Sequence, residues 1–372
     1  MDNNDKPAIL VTSANGNTGF TTAKALLENG FNVRAMVRDD KNPKCQMLKS
    51  LGADIFRGTL DDYRDVEASL TGIDRAYFCC PFDRNPLLKS TNFIIAAEKA
   101  KIQHVVYMSQ WLVSASHPSV NTREQWLAKQ MALLHKNVKY TFINTGLFSF
   151  TYFLTLELVT QLGLYPTLIP VEKLAEVAKN APPSEEDQGR VIATILMDPG
   201  PHHQKTYRIT GPALISHHDV IRTYARVLGR DVKPMTISRK MFFKSLKAMG
   251  FPTYQIYNVN YYMDELENGA FSFDGGVTSV VADITGQEPE SFETILKRRV
   301  SEAGLSKRSM GGALKSMLFF MKILITRCPD LKAFKAQQEF PTFLTPPLYA
   351  YENSEWCKEH RNRESKVDIE VA

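Results

Sequence analysis

Three small residues spaced three apart, Ser13, Gly16 and Gly19, sit in the stretch LVTSANGNTGF from Leu10 to Phe20. An apolar run, Ala8 to Thr12, precedes them, and a segment with helical spacing, Thr18 to Asn29, follows and stops at Gly30. Small residues between a strand and a helix leave backbone N–H groups, and the positive end of the helix dipole, facing an anion. At the first strand of an α/β chain that anion is the pyrophosphate of a dinucleotide. Gly16 lets the backbone approach it and Gly19 lets the helix lie close on the strand, with Thr12, Asn15, Asn17 and Thr18 completing the turn. Ser13 stands where glycine is usual. A side chain fits there if φ stays negative, and its hydroxyl is then free to donate to a phosphate oxygen. The same turn with no ligand is only a strand-to-helix connection, so the neighbouring segments must decide.

The end of the second strand selects the dinucleotide. An acid there accepts from the ribose 2′-hydroxyl, whereas an arginine pairs with the 2′-phosphate of NADP. The chain reads RAMVRDDKNPK, which puts Arg38 at the strand end with Arg34, Lys41 and Lys44 nearby. NADP(H) is the expected cofactor. Asp39 and Asp40 speak for the other nucleotide unless they cap the following helix.

Positioning these groups requires a sheet, and the pattern supplies one. Strand-like runs at Ala8–Thr12, Phe31–Arg38, Ala53–Phe56, Ala76–Cys80, His104–Ser109 and Tyr140–Asn144 alternate with helical segments at Thr18–Asn29, Met47–Gly52, Val66–Leu70, Asn92–Lys101 and Arg123–His135. Several strands are apolar on both faces, as in a parallel sheet covered on both sides. The expected fold is therefore α/β, a Rossmann-type doubly wound parallel sheet with a smaller, mostly helical C-terminal lobe. The boundaries read as 6–153 for the nucleotide domain, with 190–212 returning to it, 154–189 and 213–303 for the lobe, and 304–372 for a basic and hydrophobic extension. Within these, 181–188 reads as a polar, Pro-containing linker, Val191–Met197 as a helix, Thr206–Thr210 as a strand, and His217–Leu228 and Ser238–Met249 as helices. The net charge of +5 over 372 residues is modest and dispersed, which gives no reason to expect nucleic acid. Five scattered cysteines suit a reducing compartment rather than a disulfide framework, and the polar start MDNNDKP lacks a secretory pattern, so a cytoplasmic location is expected. No metal site is expected, because His202-His203 and His217-His218 lack partners at ligand spacing.

The segments VTSANGNTGF, VRAMVRD, GADIFRGTLDD, HVVYMSQ and YTFINTGLF, in this order, resemble the NmrA-like family of atypical short-chain dehydrogenase/reductases. The resemblance extends through DPGPHHQKTYRITGPALISHHDVIRTYARVLGRDVKPMTIS and DITGQEPESFETIL, about residues 6 to 300. It implies an NADP-binding Rossmann domain with a lobe closing a cleft over the nicotinamide, and it adds Leu60, Cys80, Pro81, Phe82, Asn144 and Gly146 to the expected cofactor contacts. Members of the family include reductases of quinones, imines and enones, and also NADP-binding regulators without evident turnover.

The chemistry itself is harder to place. The Tyr-x-x-x-Lys pair of short-chain dehydrogenases is missing after Ser109: QWLAK keeps Lys129 but has an amide at Gln125, and an ungapped count from Tyr140 puts Trp126 where relatives carry histidine or lysine. Neither Gln125 nor Trp126 is a general acid. Ser109 is the candidate for orienting a carbonyl, and Lys129 the substitute proton donor, although its spacing is more typical of a solvated helix residue. Tyr107 reads as core, and Tyr152 as a hydroxyl near the strand ends. Phe150, Tyr152 and Phe153 suit a flat apolar acceptor or simply a core. Two functions follow: reduction of a small planar, quinone-like acceptor by NADPH, or a silent NADP(H) sensor acting on a protein partner. Past Ser306, Lys307, Arg308, Lys315, Lys322 and Arg327 surround the apolar run Met317–Ile325, which suits a helix lying on an anionic membrane or one packed on the protein body. The ending KEHRNRESKVDIEVA is charged and expected to be disordered.

Overall fold

The computed structural model describes residues 6–338, 340 and 343–361. Its strands are β1 (Ala8–Val11), β2 (Asn32–Val37), β3 (Asp54–Arg57), β4 (Arg75–Cys79), β5 (His104–Gln110), β6 (Lys139–Thr145), β7 (Leu164–Thr167), β8 (Thr206–Tyr207) and β9 (Lys233–Thr236). Helices α1 (Asn17–Glu28), α2 (Pro43–Ser50), α3 (Tyr63–Ser69), α4 (Pro86–Lys99), α5 (Val120–Leu134), α6 (Leu156–Leu162) and α7 (Glu185–Met197) alternate with them. The rest of the chain is mainly helical: α8 (His217–Leu228), α9 (Arg239–Ala248), α10 (Thr253–Glu267), α11 (Val280–Thr285), α12 (Phe292–Glu302), α13 (Met310–Ile325), α14 (Leu331–Gln337) and α15 (Ser354–His360).

Seven strands form one parallel sheet in the order β3-β2-β1-β4-β5-β6-β8, the doubly wound arrangement. Alternation along each strand builds two cores. Ile9, Val11, Val37, Tyr77 and Ile143 pack under α1 and α7 on one face, while Leu10, Met36, Phe78, Tyr107 and Phe142 pack under α4 and α5 on the other. Tyr107 belongs to the second core and donates to Ser90 Oγ at 2.9 Å. A third core in the lobe joins Trp111, Tyr152, Tyr224, Phe271 and Leu296 to Trp356.

Where expectation and structure differ, capping and proline explain the difference. Helix α4 starts at Pro86 rather than Asn92, because proline fits the first helical position. The supposed linker at 181–188 holds the first turn of α7: Ser184 accepts from Asp187 N, and Glu185, Glu186 and Asp187 complement the helix dipole. The lobe also contains a two-stranded parallel sheet, β7 with β9, hidden in the sequence by Pro166 and Pro234. The strand at Thr206 is only two residues long. Helix α10, rich in Asn and Tyr, has too weak an apolar stripe to read. Lys358 to His360, at the start of the expected disordered ending, close α15, while residues 362–372 of that ending lie outside the described residues.

Helix α7 crosses α1 at a very close approach. A Cβ on Gly189 would lie 2.5 Å from Thr21 Oγ1 and 2.7 Å from its backbone carbon, and Thr21 Oγ1 already donates to Glu185 O at 2.7 Å. Gly189→Ala is expected to cost about 1–3 kcal/mol of stability. Gly200→Ala, whose Cβ would meet nothing nearer than 3.9 Å, is expected to change little, and urea midpoints at unchanged slope compare the two.

Candidate active site

The carboxyl ends of β1, β4, β5 and β6 open into a cavity of about 800 Å³ that runs on beneath the lobe. The strand order turns back between β1 and β4, the switch point at which such sheets bind ligands. Ser13, Asn15, Gly16, Asn17 and Thr18 line its floor. Gly16 is the N-cap of α1, no side chain caps the helix, and its first turn carries no acid, so the terminal N–H groups face the cavity free for an anion. This bare N-terminus fits a pyrophosphate. Ser13 departs from expectation: its φ is +50°, in the left-handed region, and its hydroxyl donates to Cys79 O at 2.9 Å instead of pointing to a phosphate. The serine thus accepts a strained backbone and braces β1 against β4. Two expected contacts lie behind the turn. Thr12 is buried, with Oγ1 accepting from Cys79 N at 2.8 Å. Gly19 is a packing residue, since a Cβ there would fall 2.4 Å from Ser13 O.

Arg38 lines the cavity, mostly exposed, 3.7 Å from Asp83. Arg34 is engaged elsewhere, with Asp54 at 2.7 Å and the carbonyls of Ser69 and Thr71. Asp39 accepts from Lys41 N at 3.0 Å in a local turn, whereas Asn42 caps α2. Lys44 donates to Asn17 Oδ1 at 3.1 Å, tying α2 to the phosphate turn. Leu60, Cys80, Pro81 and Phe82 line the wall, and burial pushes the Cys80 thiol up, so it stays protonated and inert.

At the sheet side of the cavity, Ser109 is 5% exposed and its Oγ has no hydrogen-bond partner among the described residues. Gly146 lies on the same wall. Asn144 is buried behind it and does not line the cavity. The expected proton donor is misplaced: Lys129 does not reach the cavity, and its ammonium lies 5.2 Å from the centre of the Phe142 ring. Trp126 is also outside. Gln125 does face the cavity, with Oε1 unpartnered among the described residues.

The structure brings in a phenol that sequence reasoning missed. Tyr262, on α10, lines the cavity beside Phe82, with ring centres 5.9 Å apart. Asn121 Nδ2 donates to its oxygen at 2.9 Å, and the Thr122 hydroxyl, shared with Gln110 Oε1, lies 3.4 Å away. Burial raises its pKa, and these donors pull it back. The tyrosine is therefore a protonated phenol whose anion has two donors waiting. Its only sequence signal was the pair Tyr261-Tyr262 in a helix of weak periodicity. Farther along, Tyr165 OH meets His217 Nδ1 at 3.0 Å, and burial pushes Tyr152 up to about 12.

Burial also holds His217 down to about 4 and His104 to about 3, from 6.5. Both are neutral in the folded state but gain protons below 6.5 when unfolded. Stability is thus expected to be fully present above pH 6.5 and to fall as the pH drops toward 4. Urea midpoints across that range test this, and His217→Gln should flatten the dependence.

With this geometry in place, comparison with known proteins gives a consistent picture. The model of the NmrA-like family matches residues 5–295. The chain is 24% identical over 298 residues to an NAD(P)H azoreductase of Xenophilus azovorans, covering 80% of this chain and 99% of that protein. Its fold is similar to that of an NADPH-dependent quinone oxidoreductase of Escherichia coli complexed with NADPH, with a TM-score of 0.65 at 19% identity over 78% of this chain and 99% of the other. It is also similar to NmrA, a negative transcriptional regulator, with a TM-score of 0.63 at 16% identity over 81% and 98%.

Proposed function

The chain belongs to the NmrA-like family, and on that footing we propose that it is an NADPH-dependent oxidoreductase reducing a small planar acceptor such as a quinone. The observation that carries this reading is a single cavity lined by the bare N-terminus of α1, by the Ser109 hydroxyl, which has no partner among the described residues, and by the Tyr262 phenol. The azoreductase and quinone oxidoreductase likenesses support it. The first turn of α1 holds the pyrophosphate, and Arg38 leaves Asp83 to pair with the 2′-phosphate. Bound there, the cofactor supplies a hydride. Ser109 donates to an acceptor oxygen and fixes its orientation. Tyr262 gives the proton that completes reduction, and its phenolate is held by Asn121 and Thr122 until water returns the proton. The aromatic lobe wall, with Phe150, Tyr152 and Phe271, selects flat apolar molecules and excludes water.

A second reading, a silent NADP(H) sensor acting on a protein partner, is favoured by the amide of Gln125 at the cavity wall and by the likeness to a regulator. Titrating NADPH by protein fluorescence and then following its oxidation with quinones, enones and imines separates the two: tight binding without turnover of any of them would sink the enzyme reading. Arg38→Ala is expected to weaken NADPH binding about tenfold or more and to leave NADH unchanged. Equal affinities for both nucleotides in the unaltered chain would remove Arg38 from the site. Tyr262→Phe should lower kcat on an enone about a hundredfold and on a quinone less, because a hydroquinone anion takes its proton from water, with NADPH affinity unchanged.

A further inference from the structure

Helix α13 carries two apolar stripes. Its inner stripe, Phe319, Phe320 and Ile323, closes the lobe end of the cavity, and the helix is moored to the body through Ser309 N to Gln161 Oε1 at 3.0 Å, Lys315 to Glu157 at 2.9 Å and Lys322 to Ala248 O at 2.8 Å. Its outer stripe, Met310, Leu314, Met317, Leu318, Met321 and Ile325, runs the length of the helix at helical spacing, each residue between 52% and 93% exposed. A continuous exposed apolar stripe of this kind marks a binding surface.

The charges around it identify what it binds. Lys307, Arg308, Lys315, Lys322, Arg327 and Lys332 flank the stripe; the acids beside them are Asp330 and Glu157 of α6, which pairs with Lys315, and α9, packed on α13, adds exposed Lys240 and Lys247 with no acid of its own, so the rim stays net basic. A second copy of the chain would bring this basic rim onto itself across a twofold axis, like charge against like. An anionic lipid surface instead offers acyl chains to the stripe and headgroups to the rim. At 16 residues α13 is about 24 Å long, and no helix among the described residues is long and apolar enough to cross a membrane. A helix of this length with an apolar stripe and a basic rim suits a place along the interface rather than across it.

We infer that α13 seats the protein on an anionic membrane and that the cavity behind it receives an acceptor with a long apolar tail directly from the lipid. The delivery half rests on the oxidoreductase reading above. The seat does not. A molecule passing Phe319 and Phe320 from the acyl region enters the cavity without crossing water, so its tail stays among apolar side chains while its head reaches Ser109.

Flotation of the full chain with phosphatidylcholine vesicles, with and without phosphatidylserine, tests the seat. Expected are co-flotation with the anionic vesicles that weakens with salt, and an about tenfold or greater loss in Leu314→Glu/Leu318→Glu, whose side chains face outward and touch neither cavity nor core. Failure to float, or self-association abolished by the same double substitution, would overturn it. The delivery half is read from KM: the double variant should raise it for a prenylated quinone in vesicles and leave it unchanged for a short-chain quinone in solution, whereas equal KM values for the prenylated quinone would overturn delivery. Flotation without turnover of any quinone, enone or imine keeps the seat and overturns the oxidoreductase reading; turnover without flotation does the reverse.

Discussion

The close approach of backbone to backbone around Gly19 sets the geometry on which the candidate site depends. Without a side chain there, α1 sits against the Ser13 carbonyl, and Gly16 N donates back to that same carbonyl at 2.8 Å. Ser13 is driven into the left-handed region and stabilised by its hydroxyl bond to Cys79. The consequence is a helix whose first N–H groups are neither capped nor covered. Gly189 repeats the device within the helical layer, where α7 packs beside α1 on the same face of the sheet. A phosphate site of this kind is made by what is left out: side chains at two close crossings and a cap at one helix end.

The lobe completes the site by supplying what the sheet lacks. Trp111, just past Ser109 on the chain, donates to Ala270 O at 2.8 Å and accepts from Trp356 Nε1 at 3.1 Å, while the guanidinium of Arg208 lies 3.7 Å over its ring. The chain after the family's match thus returns to brace the strand end that presents Ser109. Helix α10 brings Tyr262 down beside Phe82, and α13 closes the far end. The usual tyrosine of the short-chain dehydrogenases would come from the sheet side, near Gln125. Here a phenol comes from α10, with its hydroxyl against Asn121 and Thr122 of α5, so an amide at Gln125 does not by itself mean a site without an acid.

The fold was legible because its signals are local. Strands buried on both faces announce a parallel sheet, and the spacing Ser13, Gly16, Gly19 announces a turn in a fixed place. The place of Arg38 beside the cavity was legible for the same reason, being given by a strand end. Lys129 was misread because helical spacing gives a face but not its neighbour, and that face turns to Phe142. Tyr262 was missed because it lies 137 residues along the chain from Gln125, in a helix whose Tyr and Asn residues blur the periodicity. Ser13 was half read: the residue was placed correctly, but the sign of its φ depends on how closely α1 is drawn to β1, which only packing decides. The outer stripe of α13 was visible as an apolar run, while its exposure was not.

The central claim is that one cavity holds nucleotide and acceptor together, so that hydride passes directly between them. Single-turnover oxidation of protein-bound NADPH by a short-chain quinone, with hydrogen or deuterium at the transferring position of the nicotinamide, tests it most directly. The account predicts oxidation in a single phase that deuterium slows. Tightly bound NADPH that no planar acceptor oxidises would contradict it.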